Sequence, residues 1–297
     1  MQTRNPPRSR IRLTRRGRFV LVVAGVVVAG AAMAVPLLTL NSDLDETPPA
    51  TLVVPEGWRA SQVYDAIDKA LKLPPGSTRQ SARRAGLKLP ADARGNPEGY
   101  LFPATYPVQR GATPESLLRS MVEAASNRFG AAPRAAGAQR SAVDGYQVVT
   151  IASIVQAEAA TKEDMGKVAR VVFNRLDRGM PLQMDSTLNY ALNRTSLHTS
   201  QGDTRIENPY NSYQRMGLPP TPIDSPGEVA MRAALNPPPG DWLYFVTVKP
   251  GDTRFTSDYA THMRNVADFN ALHEGAAQGR TPSQSPAGSV SPRGSLR

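Results

Sequence analysis

Residues 19–40, FVLVVAGVVVAGAAMAVPLLTL, run for 22 positions without one charged side chain. At 1.5 Å per residue, a helix of that length crosses the hydrocarbon core of a bilayer, so the segment separates a short N-terminal arm from the rest of the chain. Two readings fit it. A cleaved signal peptide has a shorter apolar core ending on a small-residue site, of which AGAAMAVP is a weak version. The length of the run favours a retained transmembrane helix. Ahead of it, the first 18 residues hold seven arginines and no acid, and so carry seven of the ten net positive charges. A free basic arm would suggest nucleic acid. Beside an apolar span it becomes the orienting charge of the positive-inside rule, which leaves the N-terminus in the cytoplasm and about 250 residues outside. The expected protein is a single-pass protein of the inner or plasma membrane with no nucleic-acid partner.

The chain has no cysteine, which removes disulfides, thiolate metal sites and a cysteine nucleophile. His198, His262 and His273 follow no zinc spacing; they read as structural or surface groups, and no metal or other cofactor is expected. Residue types alone leave a Ser-His-Asp triad open, although the sequence has no G-x-S-x-G elbow. It also lacks a phosphate loop and a dinucleotide fingerprint.

Beyond a polar linker at 41–50, the pattern is α+β. Residues 51–95 form a small α+β lobe: a strand, a Pro-Glu-Gly turn, and a helix with Val63, Ile67 and Leu71 on one side, then a Pro- and Gly-punctuated stretch with one short helix. Residues 96–275 form a larger mixed lobe. In it, Thr113 caps a helix with Pro114 at its first position, Ala131 to Gly145 reads as loop, and helix resumes near Tyr146. Thr161 and Asp164 resemble a capping box opening a helix with Val168, Val171, Val172 and Leu176 on one face, closed by Gly179 and Pro181. A helix is expected over Thr187 to Asn193, a strand over 241–248 and a last helix over 261–273. Residues 276–297, rich in Gln, Ser, Pro, Gly and Arg, read as a disordered tail.

Within TIASIVQAEAA (150–160), Ile151, Ile154 and Val155 occupy i, i+3 and i+4 of a helical stripe, and Glu158 falls at i+7. A carboxyl on an apolar face loses solvation on packing, its pKa rises, and it becomes a candidate general acid. The plainer alternatives are a glutamate that reaches solvent at the stripe's edge, or one paired with Arg170 or Arg175. Directly after the next helix, MPLQMDSTLNYAL concentrates Gln183, Asp185, Ser186 and Thr187, where Asp185 or Ser186 either caps the following helix or faces a cleft. Further on, Tyr210, Asn211, Ser212 and Tyr213 share a loop stiffened by Pro219, Pro220 and Pro222. Rings and amides of this kind suit sugar binding, though an aromatic pair also serves for packing.

Taken in order, EGYLFPATY, IASIVQAEA, VFNRLDRGMPLQMDSTLNYAL, YNSYQRMGLPPTPI, AALNPPPGDWLYFV and a late histidine at His262 resemble the membrane-anchored endolytic murein transglycosylase family. The resemblance implies an enzyme that cuts peptidoglycan glycan strands internally, between N-acetylmuramic acid and N-acetylglucosamine, leaving a 1,6-anhydro end. It places the catalytic acid at Glu158, with Gln156 replacing the first glutamate of the family's helix motif. Position 156 is off the apolar stripe, so that replacement should be tolerated. Glu98, Gln183, Asp185, Asn211 and Tyr213 become the substrate-binding candidates, and cell-wall synthases the partners. The family's LysM-like lobe corresponds here only to VVPEGWRASQVYDAI. An intramolecular attack by the sugar's own hydroxyl needs one carboxyl group, whereas a muramidase-type hydrolase needs two, with Asp185 as the second. A catalytically weak glycan-binding scaffold is the remaining alternative.

Overall fold

The computed structural model describes residues 50–135, 144–159, 161–195 and 199–278. The expected cytoplasmic arm, the apolar span at 19–40, most of the linker and His198 lie outside these residues. Among the described residues, no helix is long and apolar enough to cross a membrane.

The class is α+β, mostly helical. Strand β1 (Ala50–Val53) pairs with β2 (Thr105–Val108). Between them lie helices α1 (Ala60–Ala70) and α2 (Ser77–Ala82) and a short 3-10 turn, Ala91–Ala93. Helix α3 (Pro114–Ala135) comes next, with the Thr113 hydroxyl accepting from the Ser116 amide as the cap requires. It continues through Ala131–Ala135, where the sequence reads as loop. Helix α4 (Gly145–Glu158) begins at a reciprocal cap between Asp144 and Gln147. Thr161 caps α5 (Lys162–Asp177) by accepting from the Asp164 amide.

Helix α6 spans Asp185–Ala191 rather than Thr187–Asn193, because its first-turn contacts come from a loop distant in sequence. Helix α7 (Glu228–Leu235) is absent from the sequence reading. Strand β3 (Tyr244–Lys249) starts three residues later than expected and closes an antiparallel hairpin with β4 (Asp252–Thr256), also unanticipated. Helix α8 (Tyr259–Gln278) extends past both ends of the expected 261–273 and takes in the first residues of the expected tail. Its length reflects packing along the hairpin, which supports turns that local propensity does not.

Two cores form. One gathers α4, α5 and α7 with Leu182, Met184 and Ile223; the other gathers β1, α1 and the first half of α3. Tyr100, Leu101 and Phe102 join them by simple alternation: the two rings enter the first core and Leu101 the second. Helix α4 is buried on every side from Val148 to Val155, including Thr150 and Ser153, so the apolar stripe seen in sequence is one face of a fully enclosed helix. Ser153 satisfies its hydroxyl by donating to the Thr150 carbonyl and accepting from the Ile223 amide. The helix emerges from this core at its C-terminus, and its last residue is Glu158.

Candidate active site

Glu158 ends α4 against the start of α6. Its Oε1 accepts from the Ser186 backbone amide at 3.0 Å. Burial of the carboxyl group pushes its pKa up; the Ser186 hydrogen bonds pull it down, and the neighbouring Asp185 carboxylate pushes it up again. The side chain as a whole is half-buried, so a desolvated acid sits where solvent or a ligand reaches its rim. Both arginines considered from sequence are engaged elsewhere. Arg170 donates to the Pro237 and Pro238 carbonyls. Arg175 donates to the carbonyls of Pro181, Leu182 and Leu243 and to Gln183 Oε1.

Asp185 and Ser186 are not caps. Met184 occupies the N-cap position of α6 without a side-chain hydrogen bond. Asp185 Oδ1 instead accepts from the Tyr213 hydroxyl at 2.5 Å. That hydrogen bond, with burial, drives the phenol pKa upward, and Tyr213 also feels the charge of Glu158. Glu158, Asp185, Ser186 and Tyr213 are therefore brought together.

The loop before α6 is clasped by the Tyr-rich loop. The Gln183 amide donates to the Ser212 carbonyl and the Met184 amide to the Ser212 hydroxyl, which also shares a hydrogen bond with Thr187. Gln183 itself is exposed, with a left-handed φ of 53° and its carbonyl oxygen on Arg175. Asn211 is placed differently from expectation. It is 1% exposed, its Nδ2 donates to the Thr204 and Ile206 carbonyls, and its Oδ1 accepts from the Tyr213 amide. Both of its donors and one acceptor site are engaged in shaping the loop, so its buried side chain positions Tyr213. Tyr210 packs against Tyr190 with the rings tilted at 50° and their centres 4.8 Å apart, and it shares a hydrogen bond with Thr221, which is packing.

Glu98 lies at the other end of α6. It is buried; Oε1 accepts from the Ala60 amide at 2.8 Å and Oε2 from the Tyr190 hydroxyl at 3.0 Å. Burial raises its pKa to about 7, against those two bonds and Arg59. Helix α6 therefore meets both acids, Glu158 through the Ser186 backbone amide in its first turn and Glu98 through the Tyr190 hydroxyl one turn on. Gln156, the departure in the helix motif, accepts from the Gly227 amide at the start of α7. An amide oxygen performs that role without a charge.

Arg175, considered from sequence only as a partner for Glu158, braces the site in another way. It lies at i+7 from Val168, with Val171 and Val172 at i+3 and i+4, the same signal that singled out Glu158. Buried at 6% exposure, it ties the end of α5 to β3 and to the loop that delivers Asp185. Its guanidinium lies 5.2 Å from the Tyr244 ring centre, and His262 stacks on that ring at 5.0 Å, a structural place for the late histidine. Among the described residues, no three His, Asp or Glu side chains gather as a metal site would need.

The chain is similar to known proteins over most of its length. The sequence model of the YceG-like family matches residues 29–268. An endolytic murein transglycosylase of Streptococcus pneumoniae strain D39 is 32% identical over 250 residues, which cover 74% of this chain and 44% of that protein. One from Bacillus subtilis strain 168 is 36% identical over 166 residues, covering 56% and 46%. The chain thus spans under half the length of the curated relatives it matches. A crystal structure of a YceG-like protein from Listeria monocytogenes superposes with a TM-score of 0.66 at 30% identity, over 73% of this chain and 75% of that one.

Proposed function

The chain belongs to the YceG-like family, and on that premise we propose that it is a membrane-anchored endolytic murein transglycosylase with Glu158 as general acid and then base. The observation that carries the reading is the Glu158 carboxyl, desolvated yet reachable, held by the Ser186 amide with Asp185 beside it. A carboxyl group that keeps its proton above the ordinary range is suited to donate it at near-neutral pH.

The proton of Glu158 passes to the glycosidic oxygen as the bond from C1 of the muramic sugar breaks. The 6-hydroxyl of that sugar attacks C1 and returns its proton to the Glu158 carboxylate. The anhydro ring closes, no water is consumed, and the acid is regenerated. Asp185, held by Tyr213, supplies negative charge while C1 becomes electron-poor. The same second carboxylate favours one competing reading, muramidase-type hydrolysis, in which Asp185 activates water and the product carries a reducing end. Residues 19–40 anchor the protein, residues 51–95 take the place of a reduced LysM-like region, and wall synthases supply the strand.

One preparation tests these points. Protein comprising residues 1–297 is expected to stay in the membrane fraction through an alkaline carbonate wash; release into the wash would remove the anchor. Extracted in detergent and given purified glycan strands, it is expected to yield anhydro-ended muropeptides by mass spectrometry, and Glu158→Gln is expected to yield none. Reducing-end products would establish hydrolysis instead. Strands bound but uncut by the parent protein would favour the binding-module alternative.

A further inference from the structure

A cavity of about 410 Å³ opens beside Glu98, lined by Arg59, Arg79 and Arg83 together with Tyr64 and Tyr190. Arg79 lies in α2 and Arg83 is its C-cap residue, so the two stand at i and i+4, where like charges repel unless an anion lies between them. Both side chains are exposed, and among the described residues neither makes an ion pair. Arg59 is oriented: its Nη2 donates to the Arg194 carbonyl at 2.8 Å, and its guanidinium lies 5.2 Å from the Tyr190 ring centre. The only acid lining the cavity is Glu98, whose two oxygens are already engaged by the Ala60 amide and the Tyr190 hydroxyl. The cavity is therefore basic and open, with three guanidinium groups against one acid in its walls.

Neutral sugar hydroxyls do not call for three guanidinium groups, whereas carboxylates match their planar fork. The cavity and the candidate acid both adjoin helix α6. Tyr190, in its wall, stands one helical turn from Ser186, which holds Glu158. A strand lying across Glu158 would bring groups attached to its muramic residues within reach of this wall.

We propose that the cavity formed by Arg59, Arg79 and Arg83 binds a carboxylate of the acidic stem peptide carried by the murein strand, a reading that rests on the function proposed above. The site makes the enzyme selective for strands that still bear their peptides. Glu98 contributes by remaining partly protonated near pH 7 and so cancelling less of the arginine charge.

The test separates binding from cleavage. Protein comprising residues 1–297 and carrying Glu158→Gln is purified in detergent, and its affinity is measured for uncrosslinked strands with intact stem peptides and for the same strands stripped by an amidase. The amidase hydrolyses the amide between the lactyl group and the peptide, so the stripped strand gains a lactyl carboxylate that the peptide-bearing strand lacks; stronger binding of the peptide-bearing strand then has to come from the stem peptide itself. Peptides are expected to strengthen binding about tenfold, as one charge-assisted fork would. Adding Arg79→Gln with Arg83→Gln is expected to erase that increment while leaving bare-strand binding as before. Arg79→Lys with Arg83→Lys, which keeps the charges and loses the forks, is expected to fall between. Equal binding of both strands by the parent, or no measurable binding of either, overturns the proposal. So does an equal loss on both strands in the glutamine variant, which would assign the cavity to the sugar, or a loss confined to the stripped strand, which would assign it to the lactyl carboxylate. Because no cleavage is read, failure here is distinct from failure of the enzymatic reading, which the products of the unsubstituted protein decide.

Discussion

Burial holds the Glu158 pKa above the usual carboxylate range, and the Asp185 carboxylate beside it adds to that rise. Removing that charge while keeping the shape, as in Asp185→Asn, lowers the Glu158 pKa toward its ordinary value. The acid then loses its proton at lower pH, so the descending alkaline limb of the pH–rate profile is expected to move to lower pH. A limb that stays in place, measured by muropeptide release across pH, would mean that the two carboxyl groups do not communicate. Among single residues, Glu158, Asp185 and Tyr213, which the sequence singled out, are brought together by the fold. Glu158 announced itself by spacing, and Arg175 bore the same signature. Asn211 did not, because a buried amide that braces a loop and an exposed one that binds sugar are spelled identically. Only its contacts with Thr204, Ile206 and Tyr213 separate the two.

Elements with local start signals were legible. The caps at Thr113, Asp144 and Thr161 act over three residues, and α3, α4 and α5 begin where such signals allow. Helix α6 was placed two residues late because Ser212, a residue far along the chain, organises its first turn. Helix α7 and strand β4 have no such punctuation; contacts with α4 and α5, and with β3, define them. The segment between Glu98 and Phe102, which joins both cores, depends on Gly99. Its φ is +84°, and a Cβ there would lie 2.5 Å from Pro222 Cβ and 3.0 Å from Val149 Cγ1. Gly99→Ala therefore combines left-handed strain with a backbone-anchored clash and is expected to cost about 2–4 kcal/mol. Urea denaturation measures this, and a loss below about 0.5 kcal/mol would show that Pro222 yields.

Glu98 couples parts of the whole molecule, since one carboxyl group receives α1 through Ala60 and α6 through Tyr190. Its pKa stands at about 7 in the fold against 4.5 in the open chain. Between those values the native state binds more protons than the unfolded one, so stability is fully present below about pH 4.5 and declines as pH rises toward 7. The Glu98 contribution to that decline is about 3 kcal/mol. Glu98→Gln keeps an acceptor for Ala60 and removes the titration. The difference in unfolding free energy between the two proteins is expected to change across that interval, and a constant difference would place the charge in solvent.

Local sequence accounts for the apolar span and its flanking charge, the α+β class, the capped helices and the acid on the helix that enters the core. These arise from composition and from periodicities acting within a few turns of chain. Which polar groups meet is set by the packed fold. Glu158 finds the Ser186 amide 28 residues away, Tyr213 finds Asp185 across the same separation, and Glu98 reaches Tyr190 across 92. Such pairs form because burial leaves a polar group few partners to choose from, and the choice depends on which backbone segments the two cores have already brought side by side.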